Sequence, residues 1–206
     1  MEFVIKEVLV LINRLLYCSA LVPLVMKNYQ LKTSRGLSDG LVWFLFNGYI
    51  ALTTFSFCLN LPIAYGVISS LQLCITGFII GQRFWYDKFE TRNFLAGVYV
   101  INVLIGAMLI PVAIAWPYEV GNLMGWAVLA CFVSTRIPQI IKIQRARSVY
   151  GFSYGFSVIL AIAAALEITL VFVYNLPLQM LATAIWSIIA FFIFTAQFYA
   201  FSWRRS

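Results

Sequence analysis

The sequence contains no histidine and few charged residues. Because histidine is absent from all 206 residues, histidine metal ligands, Ser-His or Cys-His catalysis and a histidine pH switch are excluded. Charged residues make up 10% of the chain, against about 25% in an ordinary soluble domain. The hydrophobic share is 63%, and the mean hydropathy is +0.94. A soluble globule could not cover so much apolar surface, so the composition predicts a helical membrane protein.

Cysteine is also scarce. The four cysteines lie in apolar stretches without metal-site spacing, so we expect small buried side chains and neither a metal nor a cofactor. The chain has 14 Lys and Arg against 7 Asp and Glu, a formal net charge of +7. Because the basic residues fall between apolar stretches, they indicate membrane topology and not nucleic-acid binding. The N-terminus lacks a basic leader region, so no cleaved signal peptide is predicted.

Seven apolar segments are long enough to span a bilayer, and the polar connections leave no room for a soluble domain. The segments are residues 8–26, 38–59, 62–82, 94–116, 120–141, 152–174 and 177–201. Lysine and arginine concentrate in connections 1, 3 and 5 and at the C-terminus, whereas connections 2, 4 and 6 have none. The positive-inside rule then predicts a multi-pass protein with its N-terminus outside or luminal and its C-terminus cytoplasmic. A bacterial inner membrane and a eukaryotic internal membrane both fit, and the oligomeric state stays open.

The two halves of the chain align at an offset of 115 residues without a gap. The informative identities involve scarce residue types: Pro23/Pro138, Lys27/Lys142, Gly36/Gly151, Asn60/Asn175, Pro62/Pro177 and Gln82/Gln197. Segments 1–3 map onto segments 5–7 in the same direction, and segment 4 is unpaired. We therefore predict an all-α integral membrane fold of seven transmembrane helices, arranged as two parallel three-helix repeats joined by a linker helix (3+1+3). The predicted units are a first bundle at 1–93, the linker helix at 94–118 and a second bundle at 119–206.

Each half carries a similar motif at its first connection. In the second half, over 138–153, Pro138-Gln139 is followed by Lys142 and by Ser148-Val149-Tyr150-Gly151-Phe152-Ser153. In the first half, over 23–38, Pro23-Leu24 is followed by Lys27 and by Lys32-Thr33-Ser34-Arg35-Gly36-Leu37-Ser38. Both stretches resemble the PQ-loop motif, although the first has Leu24 in place of glutamine. The resemblance implies the PQ-loop/SWEET transporter fold, whose members include cystine and cationic amino-acid exporters and sugar carriers. The size and layout are also similar to those of the KDEL receptor, which binds peptides.

The two motif prolines are candidate hinges. Pro23 and Pro138 lie in the inner halves of segments 1 and 5, where each removes a backbone hydrogen bond. Matching hinges suit alternating access by the rocking of two bundles. The structural alternative is that each proline only produces a static kink near a helix end. We expect Gln139 to bond the carbonyl freed on its own helix, which Leu24 cannot do.

Four charged residues lie inside the predicted spans, where an ionisable group is a functional candidate: Arg14, Asp39, Arg136 and Glu167. Depth predicts two ion pairs, Arg14–Glu167 near the outer end and Asp39–Arg136 near the inner end. The resemblance places segments 1, 2, 5 and 6 around the central path, so the pairs would be gates or proton-coupling groups. Glu167 is the candidate proton carrier, because the chain has no histidine. The structural alternative is permanent pairing, or snorkelling for Asp39 and Arg14.

Polar and aromatic residues in the spans are candidates for substrate binding. They are Asn13, Tyr17, Trp43, Asn47, Gln72, Asn102 and Trp186. The resemblance favours Trp43 and Asn47, because the family lines its path with segment 2. Where the family's cystine exporters carry Asn and Asp, this chain has Leu45 and Leu160, which argues against cystine transport by that route. The structural alternative is that such Asn and Gln residues only bond across helices.

Motifs and resemblance together predict a transporter of a small polar solute, not an enzyme, that works by alternating access and couples to protons. An amino acid, including a cationic one, is the first candidate for the solute. A sugar, as in SWEET proteins, is the alternative within the same class. A sorting receptor like the KDEL receptor is the rival from another class, and Arg14 and Arg136 would then bind a peptide carboxylate. The expected partners are a small-molecule substrate, protons and the lipid bilayer.

Overall fold

The computed structural model describes residues 2–33, 36–86, 92–150 and 152–202. These residues form eight α-helices and no strand: α1 Glu2–Ser19, α2 Val22–Leu31, α3 Asp39–Cys58, α4 Ile63–Tyr86, α5 Arg92–Ala115, α6 Pro117–Ala146, α7 Tyr154–Tyr174 and α8 Leu178–Ser202. The predicted all-α fold class is confirmed. Gly151 of the second motif lies outside the described residues.

Six helical stretches in the described parts of the chain are long and apolar enough to cross a membrane. Helices α1 and α2 together supply the first, Glu7–Leu31, and the others correspond to α3, α4, α6, α7 and α8. Helix α5 contributes a shorter described apolar stretch, Tyr99–Ala115. The protein is thus a multi-pass integral membrane protein, since runs of this length match the hydrocarbon thickness of a bilayer.

The internal repeat is visible in the backbone. Helices α6, α7 and α8 begin 115 residues after α1, α3 and α4, respectively. Among the described residues, the non-glycine residues with positive φ form two pairs at the same offset. Lys32 and Arg147 have φ values of 48° and 45°, and Asn60 and Asn175 have 48° and 49°. The equivalent helices of the two halves therefore end in equivalent left-handed turns, a conformation that asparagine tolerates better than most residues.

The two halves differ at their prolines. Helix α1 ends at Ser19 and α2 begins at Val22, so the first span is interrupted directly before Pro23. Pro138 instead lies inside α6, which continues without a break to Ala146. The segment predicted over 8–26 is thus one membrane span, Glu7–Leu31, made of two helices. A proline always removes one backbone bond, but neighbouring helices can support the helix around it.

Two antiparallel helix contacts join the halves: α3 packs along α6, and α1 with α2 packs along α7. We name the α3–α6 contact the glycine seam, after Gly40, Gly48, Gly121 and Gly125. A Cβ atom added to Gly40 would lie 2.7 Å from Cγ of Pro138, and one added to Gly121 would lie 2.7 Å from Cδ2 of Leu59. These distances leave no space for a side chain. Small residues of this kind allow helix backbones to approach closely in membranes.

We name the contact of α1 and α2 with α7 the polar seam, after its pairs Asn13–Ala163, Arg14–Glu167 and Lys27–Phe152. It is packed less closely than the glycine seam. At Gly155, the repeat equivalent of Gly40, an added Cβ would meet Cγ of Pro23 at 3.7 Å, an ordinary van der Waals distance. The same position is therefore too crowded for a Cβ atom in one seam and accommodates one in the other.

Candidate functional site

A cavity of about 60 Å³ lies between the two halves, lined by residues of α1, α3, α4, α6, α7 and α8. A water molecule needs about 10–15 Å³ of such space, so the cavity has room for a few waters or a very small solute. Half of the lining comes in repeat-related pairs: Tyr17/Phe132, Leu45/Leu160, Leu52/Glu167 and Gln72/Ser187. This pairing places the cavity between equivalent helices of the two repeats.

One wall of the cavity holds a buried ion pair between Arg14 and Glu167. Asn13 supports the arginine, because its Oδ1 accepts hydrogen bonds from Nε at 3.1 Å and Nη2 at 2.7 Å. Asn13 is itself held by a 2.8 Å bond from its Nδ2 to the carbonyl of Ala163. The hydroxyl of Tyr65 donates to Oε1 of Glu167 at 3.2 Å, and its ring centre lies 4.2 Å from the Arg14 guanidinium carbon. This is the pair that depth predicts, and its charges are well compensated.

Arg136 lines the same cavity without a counter-charge. It is 6% exposed, and its Nη2 donates a long hydrogen bond of 3.3 Å to Oγ of Ser187. Its Nε has no hydrogen-bond partner, and none of the described carboxylates forms an ion pair with it. A buried guanidinium without a counter-charge is costly in a membrane, which makes it a functional candidate.

Asp39 does not pair with Arg136. It forms an ion pair with Arg83 near the end of α4, and its side chain is 71% exposed. The predicted Asp39–Arg136 pair is therefore wrong. Depth along the membrane does not determine which face of a helix a residue occupies, and a closer cation lies in the same repeat.

Of the seven predicted substrate-binding residues, Tyr17 and Gln72 line the cavity. Tyr17 packs against the Arg14 guanidinium, whose carbon lies 4.6 Å from the ring centre. Gln72 is 1% exposed, and its Oε1 has no hydrogen-bond partner in the described parts of the chain. Asn13 does not line the cavity, but its Oδ1 accepts a hydrogen bond from Arg14, which does.

The remaining candidates are absent from the cavity wall: Trp43, Asn47, Asn102 and Trp186. Asn47 bonds back to its own helix, donating to the carbonyl of Trp43 at 2.9 Å. Helix α3 presents Leu45, Tyr49 and Leu52 to the cavity, at the spacing of one helix face. Trp43 and Asn47 belong to another face, so α3 lines the cavity as predicted but through other residues.

Four polar lining residues are not among those predicted from the sequence: Tyr49, Thr135, Thr183 and Ser187. A signal for one of them was present. Ser187 lies 115 residues after Gln72, so the repeat offset applied to the polar candidates points to it. A serine or threonine in an apolar helix carries little signal alone, because its hydroxyl usually bonds to its own helix.

The two motif lysines reach across to the opposite repeat. Nζ of Lys27 donates to the carbonyl of Phe152 at 2.6 Å, and Nζ of Lys142 donates to the carbonyl of Leu37 at 2.6 Å. Each acceptor lies just before a helix that follows the other motif, α7 or α3. The motifs therefore hold the two halves together by crossed, repeat-related contacts.

Gln139 forms a second contact with the opposite repeat, and this contact exists only at the glycine seam. Its Nε2 donates to the carbonyl of Gly36 at 3.1 Å, and its Oε1 accepts from the backbone N–H of Ser38 at 2.9 Å. The expectation that Gln139 bonds the freed carbonyl of its own helix is wrong. Leu24, its repeat equivalent, is buried but can form no such bonds.

Comparisons with known proteins agree with this fold and motif. Residues 120–180, which include Pro138, match the model of the PQ loop repeat family. The structure of a eukaryotic SWEET transporter is similar over 94% of this chain and 98% of that chain, with a TM-score of 0.65 and 14% sequence identity. At this identity the similarity concerns the fold. A search of curated proteins found no match. The chain carries a PQ loop repeat and has the SWEET transporter fold, which confirms the resemblance in its sequence.

Proposed function

We propose that the protein transports a small polar solute across a membrane by alternating access. The observation that carries this proposal is the partly enclosed cavity between the two repeats, lined by charged groups that an inert bundle would not need. In a fold of parallel repeats, a midplane cavity between the halves is the expected position of a substrate site.

An amino acid is the first candidate for the solute. The cavity offers Arg136 for a carboxylate and the oxygens of Gln72 and Glu167 for an ammonium group. A sugar, the alternative, would leave the charge on Arg136 uncompensated. The lining therefore supports an ionised solute over a neutral one.

The hinge role of Pro23, Pro138 and Gln139 belongs to the same proposal. The interruption between α1 and α2 supports motion at Pro23, and the crossed bonds of Gln139 support a firmer contact at Pro138. Purified protein in liposomes should accumulate a radiolabelled amino acid, and Pro23→Ala should slow uptake severalfold. Pro111→Ala is the matched control, because Pro111 lies within α5 and is exposed.

A panel of amino acids and monosaccharides decides the solute class. Uptake of a sugar alone would replace the amino-acid candidate, and peptide binding without any flux would replace the transporter by a sorting receptor. Equal uptake by the Pro23→Ala and Pro111→Ala variants would contradict the hinge role.

Proton coupling through Glu167 is the finer part of the proposal. Protonation of Glu167 would remove the counter-charge of Arg14 and weaken the polar seam, which links proton movement to opening. Glu167→Gln should abolish the stimulation of uptake by a pH gradient. Asp39→Asn is the control, since this exposed carboxylate lies outside the cavity lining. Gradient-driven uptake that persists in Glu167→Gln would contradict the carrier role.

A further inference from the structure

We propose that Arg136 binds the carboxylate of the solute and that the solute is a small monocarboxylate with a neighbouring hydrogen-bond donor. This inference rests on the proposed transport function and names the substrate class of the same cavity. It follows from the net charge of the cavity lining, from its buried polar atoms without hydrogen-bond partners and from the volume of the cavity.

The charge of the cavity lining is unbalanced by one. Glu167 compensates Arg14, and Asn13 and Tyr65 complete that pair. Arg136 has no equivalent, so the described ionised groups of the lining sum to one positive charge. The carboxylate of a 2-hydroxy acid neutralises the site. The carboxylate of a 2-amino acid neutralises Arg136, and its ammonium group needs an acceptor in the lining, whereas a dibasic amino acid would add a further, uncompensated positive charge.

The fold itself does not demand an arginine at this position. The repeat equivalent of Arg136 is Leu21, which is fully buried. A leucine therefore satisfies the packing of the equivalent position in the other half, which lies in the interruption between α1 and α2. The charge of Arg136 is specific to one repeat and to the cavity, as expected for a ligand-binding group.

Two unfilled groups in the lining complement each other. Nε of Arg136 is a donor without an acceptor, and Oε1 of Gln72 is an acceptor without a donor. Buried groups of this kind are normally hydrogen-bonded. A carboxylate supplies the acceptor, and a hydroxyl or ammonium on the adjacent carbon supplies the donor. The hydroxyls of Ser187 and Thr183 can act in either role.

The size of the cavity limits the solute. A volume of about 60 Å³ holds a few heavy atoms, so a 2-hydroxy or 2-amino acid with a short side chain fits better than a hexose or a peptide terminus. The shared chemistry is a carboxylate with a donor on the neighbouring carbon. Glycolate and glycine represent its two sources.

The test is a binding titration of the purified protein in detergent, which does not depend on flux. We expect glycolate or glycine to bind, and the amide of the acid that binds, glycolamide or glycinamide, to bind about tenfold to a hundredfold more weakly because it lacks the carboxylate charge. Whichever of glycolate and glycine binds more tightly shows whether the solute is a 2-hydroxy acid or a 2-amino acid. Lysine and glucose should not bind measurably at the same concentrations.

Variants of Arg136 complete the test. Arg136→Gln should abolish the preference for the acid over its amide, and Arg136→Lys should restore part of this preference in a folded protein. Arg83→Gln is the matched control, because Arg83 pairs with Asp39 away from the cavity lining. An unchanged preference in Arg136→Gln, equal binding of the acid that binds and its amide, or no binding of either glycolate or glycine would overturn the inference. Liposome uptake of another solute after such a result would leave the transport function intact.

Discussion

The glycine seam and the polar seam join the same two repeats through equivalent helices, yet they are built differently. At the glycine seam a Cβ on Gly40 would lie 2.7 Å from Pro138, whereas at the polar seam a Cβ on Gly155 would lie 3.7 Å from Pro23. The polar seam carries the Arg14–Glu167 pair. At the equivalent positions the glycine seam has Leu129 and Leu52. The two equivalent contacts thus differ: one has close apolar packing, and the other carries charge.

This difference predicts a separate role for each seam. Close packing of small residues gains many dispersion contacts and tolerates little displacement. A buried ion pair contributes little net stability compared with apolar packing, but it responds to protons and charged ligands. We therefore expect the glycine seam to hold the halves together and the polar seam to move.

The largest expected effect comes from breaking the ion pair of the polar seam. Glu167→Leu leaves Arg14 buried without a counter-charge and should lower the free energy of unfolding by about 3–5 kcal/mol. Thermal unfolding in detergent, followed by tryptophan fluorescence, measures the loss.

The double variant Arg14→Leu/Glu167→Leu separates stability from function. It copies the leucines of the glycine seam, so its stability should return to that of the parent or exceed it. The double variant should nevertheless be unable to transport the solute, because both charges of the pair are gone. A double variant that transports normally would show that the pair is only structural.

The next effect concerns Gln139, whose hydrogen bonds to Gly36 and Ser38 exist at the glycine seam only. Gln139→Leu copies Leu24 of the other motif and leaves the carbonyl of Gly36 and the N–H of Ser38 without a partner. We expect a loss of about 1–3 kcal/mol for each group that stays buried. Hydrogen exchange of the Ser38 amide, measured by mass spectrometry, should rise in parallel. Unchanged stability and exchange would contradict the assigned bonds.

The smallest effect is that of a single methyl group placed in each seam. Gly40→Ala should cost about 1–3 kcal/mol, because the new Cβ overlaps Pro138. Gly155→Ala, at the equivalent position, should be neutral or slightly stabilising, since alanine favours a helix. Melting temperatures of the two variants give the comparison directly. Equal melting temperatures would contradict the proposed difference in packing between the two seams.

Much of the fold could be predicted from the sequence, because apolar length and scarce-residue identities report on spans and repeats. The 115-residue offset anticipates the equivalent starts of α1 and α6 and the matched turns at Asn60 and Asn175. The interruption before Pro23 could not be predicted, since Pro138 shows that a proline at the same position can stay within a helix. Support from neighbouring helices decides between these outcomes, and sequence does not display it.

The site was predicted only in part. Depth in the membrane sufficed for Arg14 and Glu167, but it assigned Asp39 to the wrong arginine. Depth fixes one coordinate, whereas contact also requires the correct helix face. The face of α3 that meets the cavity contains Leu45 and Tyr49 and not Asn47. Apolar residues on both faces of a membrane helix erase the periodicity that marks a buried face in soluble proteins.

The most direct test compares distances across both seams with matched pairs of spin labels. Tyr29 and Tyr154 lie near one end of the polar seam, and Gln144 and Asp39 are their repeat equivalents at the glycine seam. All four positions are exposed, and the four native cysteines would be replaced by alanine. We predict that adding the transported solute shifts the distance distribution of the polar-seam pair and leaves the glycine-seam pair narrow and unchanged. Equal shifts in both pairs, or a shift at the glycine seam alone, would contradict the account.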